Sequence, residues 1–208
     1  QICQTLSYTH SCGVIHLDIK PTNIMVGAFG EVHLMDWGLA RTSTDLCVPG
    51  SVQNGVQDRL PCSDSTMDSP SIASHDLTVE VPAGAVWGTP AYMSPEQARG
   101  HCSDVRSDVF GLGGMLCEIL TGSPPYRGAN FLDVCFKATT ADLSEAYREL
   151  IDSGADGVLV RLAMKCLSPD PDARPADAGM VASELTLYLE SLLQRAVSDL
   201  ERFFELSL

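Results

Sequence analysis

The stretch His16–Gly38, HLDIKPTNIMVGAFGEVHLMDWG, constrains this chain more than any other. It sets an acid two residues before a lysine, an asparagine three further on, and a second acid in Asp36-Trp37-Gly38. Between Asn23 and Asp36 lie two short apolar runs, Ile24-Met25-Val26 and Val32-His33-Leu34-Met35, joined by Gly27-Ala28-Phe29-Gly30. Short β-forming runs separated by glycines favour a reversing chain, which predicts a small hairpin. A hairpin brings the segment before its first strand close to the segment after its second. Asp18, Lys20 and Asn23 are therefore expected to face Asp36 across one mouth.

These groups suit phosphoryl transfer. A carboxylate and an amide oxygen are hard ligands for Mg²⁺, which takes few protein ligands and completes its shell with phosphate oxygens and water. A nearby lysine can neutralise a transferring phosphoryl group, and a free carboxylate can orient an attacking hydroxyl. Taken singly, Asp18 and Asn23 read as turn caps, a common use of both residue types; the ordered string outweighs that reading. It resembles the catalytic and metal-binding loops of the eukaryotic-type protein kinases. His16-Leu17-Asp18-Ile19-Lys20-Pro21-Thr22-Asn23 stands where the family writes H-R-D-L-K-P-x-N, and Asp36-Trp37-Gly38 stands for D-F-G. Lysine two residues after the acid resembles the serine/threonine-specific branch.

The resemblance implies a role for each position. Asp18 is the acid that accepts the substrate hydroxyl's proton, Lys20 contacts the γ-phosphate of ATP, and Asn23 and Asp36 hold Mg²⁺, while His16 and Gly38 are structural. Further along, Val86-Trp87-Gly88-Thr89-Pro90-Ala91-Tyr92-Met93-Ser94-Pro95-Glu96 resembles G-T-x-x-Y-x-x-P-E. Thr89 is then expected beside Asp18 and Lys20, positioning the substrate hydroxyl. Glu96 is expected to form a buried ion pair with Arg174 of Pro171-Asp172-Ala173-Arg174-Pro175; solvated surface charges are the general prior for both residues. Ser103–Thr121 is apolar on nearly all sides after its first turn, as a buried helix is. Its Gly111, Gly113 and Gly114 suit close backbone approach, and by the resemblance Asp108 braces the catalytic loop through backbone amides.

The implied fold is mainly α (α+β): a kinase-like C-terminal lobe, helical, with a small β-hairpin at the catalytic loop. Residues 1–190 make that lobe, and 191–208 form a helical extension. Residues 1–12 read as the end of a helix with Ile2, Leu6 and Thr9 on one face and Gly13 as its cap. Further helices are expected over Asn130–Ala138 and Asp156–Cys166 and from Ala176 onward, with Asp142–Ser153 ambiguous between helix and loop. From Thr42 to about Ala85 the chain is rich in Ser, Thr, Asp, Gly and Pro, the composition of a flexible insertion, here in the activation segment. Leu185, Leu189, Leu193, Val197, Leu200 and Phe204 mark a stripe at helical spacing. Its first part is expected to pack on the lobe; the rest could pair with another helix, even a second copy of the chain.

Nothing in the sequence resembles the smaller, strand-rich kinase lobe with its glycine-rich loop and V-A-I-K lysine. The chain therefore reads as part of a longer kinase, inactive by itself without that lobe. The net charge of −14 argues against nucleic acid and leaves protein substrates with Ser or Thr hydroxyls. Eight cysteines without a C-x-x-C pair fit free thiols in a reducing cytoplasm, and no run reaches the length of a membrane-spanning helix, though a longer parent could carry an anchor.

Two departures from the family matter. Leu17 replaces the arginine of H-R-D and has no donor for a phosphate, leaving Arg41 and Arg106 as the nearest basic residues in sequence. Trp37 keeps a large aromatic and resembles a variant of bacterial kinases. The function implied is a serine/threonine protein kinase using Mg-ATP; the alternatives are a pseudokinase scaffold or a truncated remnant acting as a protein-binding module.

Overall fold

A helix with almost no solvent-facing side, α3 (Val105–Thr121), is the axis of the computed structural model, which describes residues 1–42 and 88–205. Asp104 caps its start by accepting from the Arg106 amide at 2.8 Å, and Gly122 ends it in the left-handed region at φ 78°. Phe110 and Cys117 of α3 belong to one apolar cluster, and Val109 and Leu112 to a second. One helix thereby joins both halves of the core. The α3 glycines let neighbours come close: a Cβ on Gly111 would lie 2.7 Å from Ile19 Cβ, and one on Gly113 2.6 Å from Cys166 Cβ. Ile19 directly follows Asp18, and this contact seats the loop from His16 to Asn23 on the central helix.

Helix α1 (Ile2–Ser11) buries Leu6 and leads through Gly13, at φ 73°, into β1 (Val14–Ile15). The expected hairpin is β2 (Ile24–Val26) and β3 (Val32–Leu34), antiparallel with Ile24 opposite Leu34 and Val26 opposite Val32. Met35 lies just outside the second strand, and its amide donates to Asn23 O at 2.8 Å, closing the hairpin at its base. A fourth short strand, β4 (Arg41–Thr42), returns antiparallel to β1. The expectation of a flexible insertion over 42–85 falls outside the described residues, except at Thr42.

The rest is helical. The short α2 (Pro95–Ala98) follows Ser94; then come α3, α4 (Phe131–Thr140), α5 (Ser144–Asp152), α6 (Gly157–Cys166) and α7 (Ala178–Glu205). The ambiguous stretch is thus a helix, α5, with Ala146 and Leu150 buried. Helix α7 runs unbroken through positions 190 and 191. Its first turns pack on the lobe through Ala178, Val181 and the half-buried Leu185. Core packing does not extend along the whole stripe: Leu189, Leu193, Val197 and Leu200 are all more than half exposed, because α7 has run past the lobe. The Phe204 side chain lies outside the described residues.

Among the described residues no helix is long and apolar enough to cross a membrane. The six cysteines there are free thiols. Burial pushes the Cys166 thiol up to about 12, which makes it an inert packing group.

Candidate active site

Asp108 holds the loop from His16 to Asn23 in place. Its carboxylate accepts from the backbone amides of His16 (2.8 Å) and Leu17 (2.7 Å) and lies 3.0 Å from His10 Nε2. The His10 ring accepts from the Ala178 amide through Nδ1 at 3.4 Å, which places the start of α7 on the same buried acid. Leu17 sits in the left-handed region at φ 68°, a costly conformation for a leucine. The turn it makes swings Asp18 toward the segment that begins at Gly88.

Asp18 is buried but not isolated. Its Oδ2 accepts from Lys20 Nζ (2.6 Å) and Asn23 Nδ2 (3.0 Å), and its Oδ1 from the Thr89 amide (3.1 Å). Burial raises this carboxyl's pKa, but the bonds and charge of Lys20, with Asn23 and Thr89, more than offset it and hold it below the usual carboxylate range. Lys20 also donates to Thr89 Oγ1 at 2.7 Å, so one ammonium ties the acid to the hydroxyl. Gly88 at φ 120° has to be glycine: a Cβ there would stand 3.4 Å from Leu17 O and 3.2 Å from Met93 Cε, in a backbone conformation that side chains rarely adopt.

His16 connects this loop to Asp36. Its ring accepts from the Asp18 amide at Nδ1 (3.3 Å), donates from Nε2 to Met35 O (3.0 Å), and meets Trp37 edge to face with centroids 4.6 Å apart. Asp36 is exposed at φ 58°, its carboxylate accepting from the Gly38 amide at 3.3 Å. A Cβ on Gly38 would crowd that oxygen at 3.1 Å. Asn23 turns its amide nitrogen to Asp18 O (2.9 Å) and Oδ2, which directs its amide oxygen the other way. Asn23 and Asp36 thus offer one amide oxygen and one carboxylate on either side of the hairpin base. That donor set is hard and sparse, as Mg²⁺ prefers when phosphate and water supply its other ligands. Among the described residues no three His, Cys, Asp or Glu side chains form a metal-binding group, so within those residues no complete cage for an ion is present.

Glu96 and Arg174 are 78 residues apart and paired side by side, with Nη1 and Nη2 donating to the two carboxylate oxygens at 2.7 and 2.9 Å. Ser107 Oγ adds a third bond to Glu96 at 2.8 Å. Arg174 further donates to Ser168 O and Arg106 O, and its guanidinium lies 5.0 Å from the centre of the Phe110 ring. The pair ties the segment that carries Thr89 and Glu96 to the loop before α7.

The family model of the protein kinase domain matches residues 1–51 and 73–186 of this chain. The chain belongs to the protein kinase domain family. It is similar to the serine/threonine-protein kinase PknB of Mycobacterium tuberculosis (strain ATCC 25618 / H37Rv), at 33% identity over 185 residues, 88% of this chain and 24% of that protein. PknB of Mycobacterium leprae (strain TN) is 34% identical over 184 residues, and serine/threonine-protein kinase PknD of Chlamydia felis (strain Fe/C-56) 31% over 192, covering 88% and 91% of this chain and 24% and 18% of those proteins. The chain spans about a quarter of the length of these kinases or less.

Against the kinase motif, position 17 is the departure with a visible consequence. Of its two proposed basic substitutes, Arg106 is already held by Asp104 (2.7 Å) and Asp172. Arg41 is exposed and donates to the carbonyl of Ala40 at 2.9 Å. Two residues that brace the loop escaped the sequence reading. His10 lies 98 positions from Asp108, and a lone histidine on an amphipathic helix carries no sequence signal. Gln97 did leave one: Ser94-x-x-Gln97 is the spacing of a capping box.

Proposed function

We propose that the protein containing this chain is a serine/threonine kinase that transfers the γ-phosphate of ATP to protein hydroxyls. The strongest support is the hydrogen-bonded group of Asp18, Lys20, Asn23 and Thr89, assembled from two segments about 70 residues apart. In this reading Asp18 orients the substrate hydroxyl and accepts its proton as the oxygen attacks phosphorus. Its depressed pKa keeps it ionised and able to accept at neutral pH. Lys20 faces the transferring phosphoryl group, and its bond to Thr89 Oγ1 holds the wall against which the hydroxyl rests. Asn23 and Asp36 hold Mg²⁺, which when bound neutralises charge on the phosphates. His16 and Gly38 keep Asp36 in its turn, while Glu96, Asp108 and Arg174 fix the two segments on the lobe.

The strand-rich lobe that covers a nucleotide is part of this proposal and is expected elsewhere in the parent protein, which we place in the cytoplasm because the cysteines among the described residues are free thiols. The exposed face of α7 around Leu189 and Leu193 is read as a surface for another helix, a second copy included. The test is purification of the full-length parent and incubation with labelled Mg-ATP and a protein rich in Ser and Thr. Label on Ser or Thr supports the kinase; tight ATP binding with no transfer supports the scaffold alternative instead.

A further inference from the structure

We infer that Gln97 is a positioning residue: its side-chain amide clamps the Leu17 peptide and so couples the substrate-side segment to Asp18. The inference rests on the kinase reading above and adds a residue to it. Gln97 Nε2 donates to Leu17 O at 2.9 Å, across 80 positions of sequence. Its Oε1 accepts from Ser94 Oγ at 2.9 Å and from the Ser94 amide at 3.3 Å. These three bonds fix which end of the amide points where. The reverse orientation would set two N–H donors against the Ser94 amide and two oxygens against each other at Leu17.

The Leu17 peptide is thereby gripped on both sides, its N–H by Asp108 at 2.7 Å and its C=O by Gln97. That matters because Leu17 holds φ 68°, which a leucine leaves readily unless its surroundings over-determine it. Asp18 is the next residue, so relaxation of Leu17 rotates the carboxylate away from Thr89 and Lys20. The void bordered by Leu17, Asp18, Thr89, Met93 and Gln97 is about 10 Å³, too small for more than a single water. Solvent therefore has little room to replace the amide.

Gln97 also belongs to α2, directly after Glu96, so the clamp acts only while the segment from Ser94 onward is seated. In this chain, where position 17 carries no arginine, a neutral amide on that segment reports its seating to the catalytic loop. Order in the substrate-side segment and order at Asp18 become one event without a charged partner at position 17.

The experiment compares the full-length parent with its Gln97→Met, Gln97→Glu and Gln97→Met/Leu17→Gly variants. Methionine keeps the volume and removes the donor; glutamate keeps the shape and turns an oxygen toward Leu17 O. Both single variants are expected to lower kcat roughly tenfold, the scale of one lost buried hydrogen bond, with KM for ATP unchanged. Glycine at 17 adopts the left-handed conformation without strain, so the double variant should regain part of the lost kcat. An unchanged kcat in Gln97→Met overturns the inference. So does a loss that glycine does not rescue and that merely follows a fall in unfolding temperature. If the parent transfers no phosphate, the kinase reading fails separately, and amide hydrogen exchange at Leu17 and Asp18 decides the clamp: faster exchange in Gln97→Met supports it and unchanged exchange contradicts it.

Discussion

Arg174→Ala should be among the most destabilising single changes available in this chain. Wild-type Arg174 is 5% exposed, and its guanidinium makes both bonds to Glu96 and caps Ser168 O at 2.7 Å and Arg106 O at 3.0 Å. Alanine leaves Glu96, itself 9% exposed, with Ser107 as its remaining side-chain partner among these bonds. Removing one member of a buried pair costs about 3–5 kcal/mol, mostly from the charge left behind. For a chain of this size that lowers the unfolding temperature by about 6–20 °C. Burial raises the Glu96 carboxyl, yet the bonds and charge of Arg174 outweigh it and hold the pKa below its ordinary 4.5. The wild-type contribution is therefore fully present above about pH 5 and is lost as pH falls through the depressed folded value. In Arg174→Ala burial prevails and the same carboxyl shifts upward, so the variant loses stability as pH rises. The gap between the two proteins should be wide at pH 7 and narrow near pH 3. Urea unfolding followed by circular dichroism at both pH values measures it, with Glu96→Leu/Arg174→Met as the third protein, expected to cost less than Arg174→Ala because no charge is left unpaired. A loss under about 1 kcal/mol at pH 7, the scale of an exposed pair, would refute the argument.

Other outcomes follow from the same geometry. If the full-length parent transfers phosphate as proposed, Asp36→Asn should raise the Mg²⁺ concentration for half-maximal rate roughly tenfold or more, read by a Mg²⁺ titration of transfer. Asp108→Asn sets an amide nitrogen against one of the two loop amides it serves, and should cost about 1–3 kcal/mol on unfolding while slowing turnover. Because the Leu17 side chain has no donor and Arg106 is held by Asp104 and Asp172, phosphatase treatment of the segment between Thr42 and Thr78 should change substrate affinity more than the single-turnover rate. A large rate loss that persists with Arg41→Ala and Arg106→Ala would contradict this.

The hairpin and the buried central helix were legible because their signals are local, whereas the pairing of distant segments was legible through the resemblance of their motifs to the kinase family. Glycines between β-forming runs, an apolar helix with three glycines, and the ordered string from His16 to Asn23 each need no knowledge of the rest of the chain. Asp142–Ser153 stayed ambiguous because its helix is amphipathic but short, and what makes it α5 is burial of Ala146 and Leu150 against neighbours distant in sequence. The exposed half of α7 was harder still: a stripe at helical spacing reads as core whether or not anything stands opposite it. His10 and the strained φ of Leu17 are tertiary facts. A histidine gains meaning once Asp108 is brought beside it, and leucine is not a residue that announces a left-handed turn.

The most direct test of the account is Asp18→Asn in the purified full-length parent. Asparagine keeps the size of the side chain and removes the proton acceptor, so the protein should fold and bind Mg-ATP while phosphate transfer to a Ser/Thr substrate falls by roughly 10²–10⁴-fold. Undiminished transfer by that variant would contradict the assignment of this loop as the site of the chemistry.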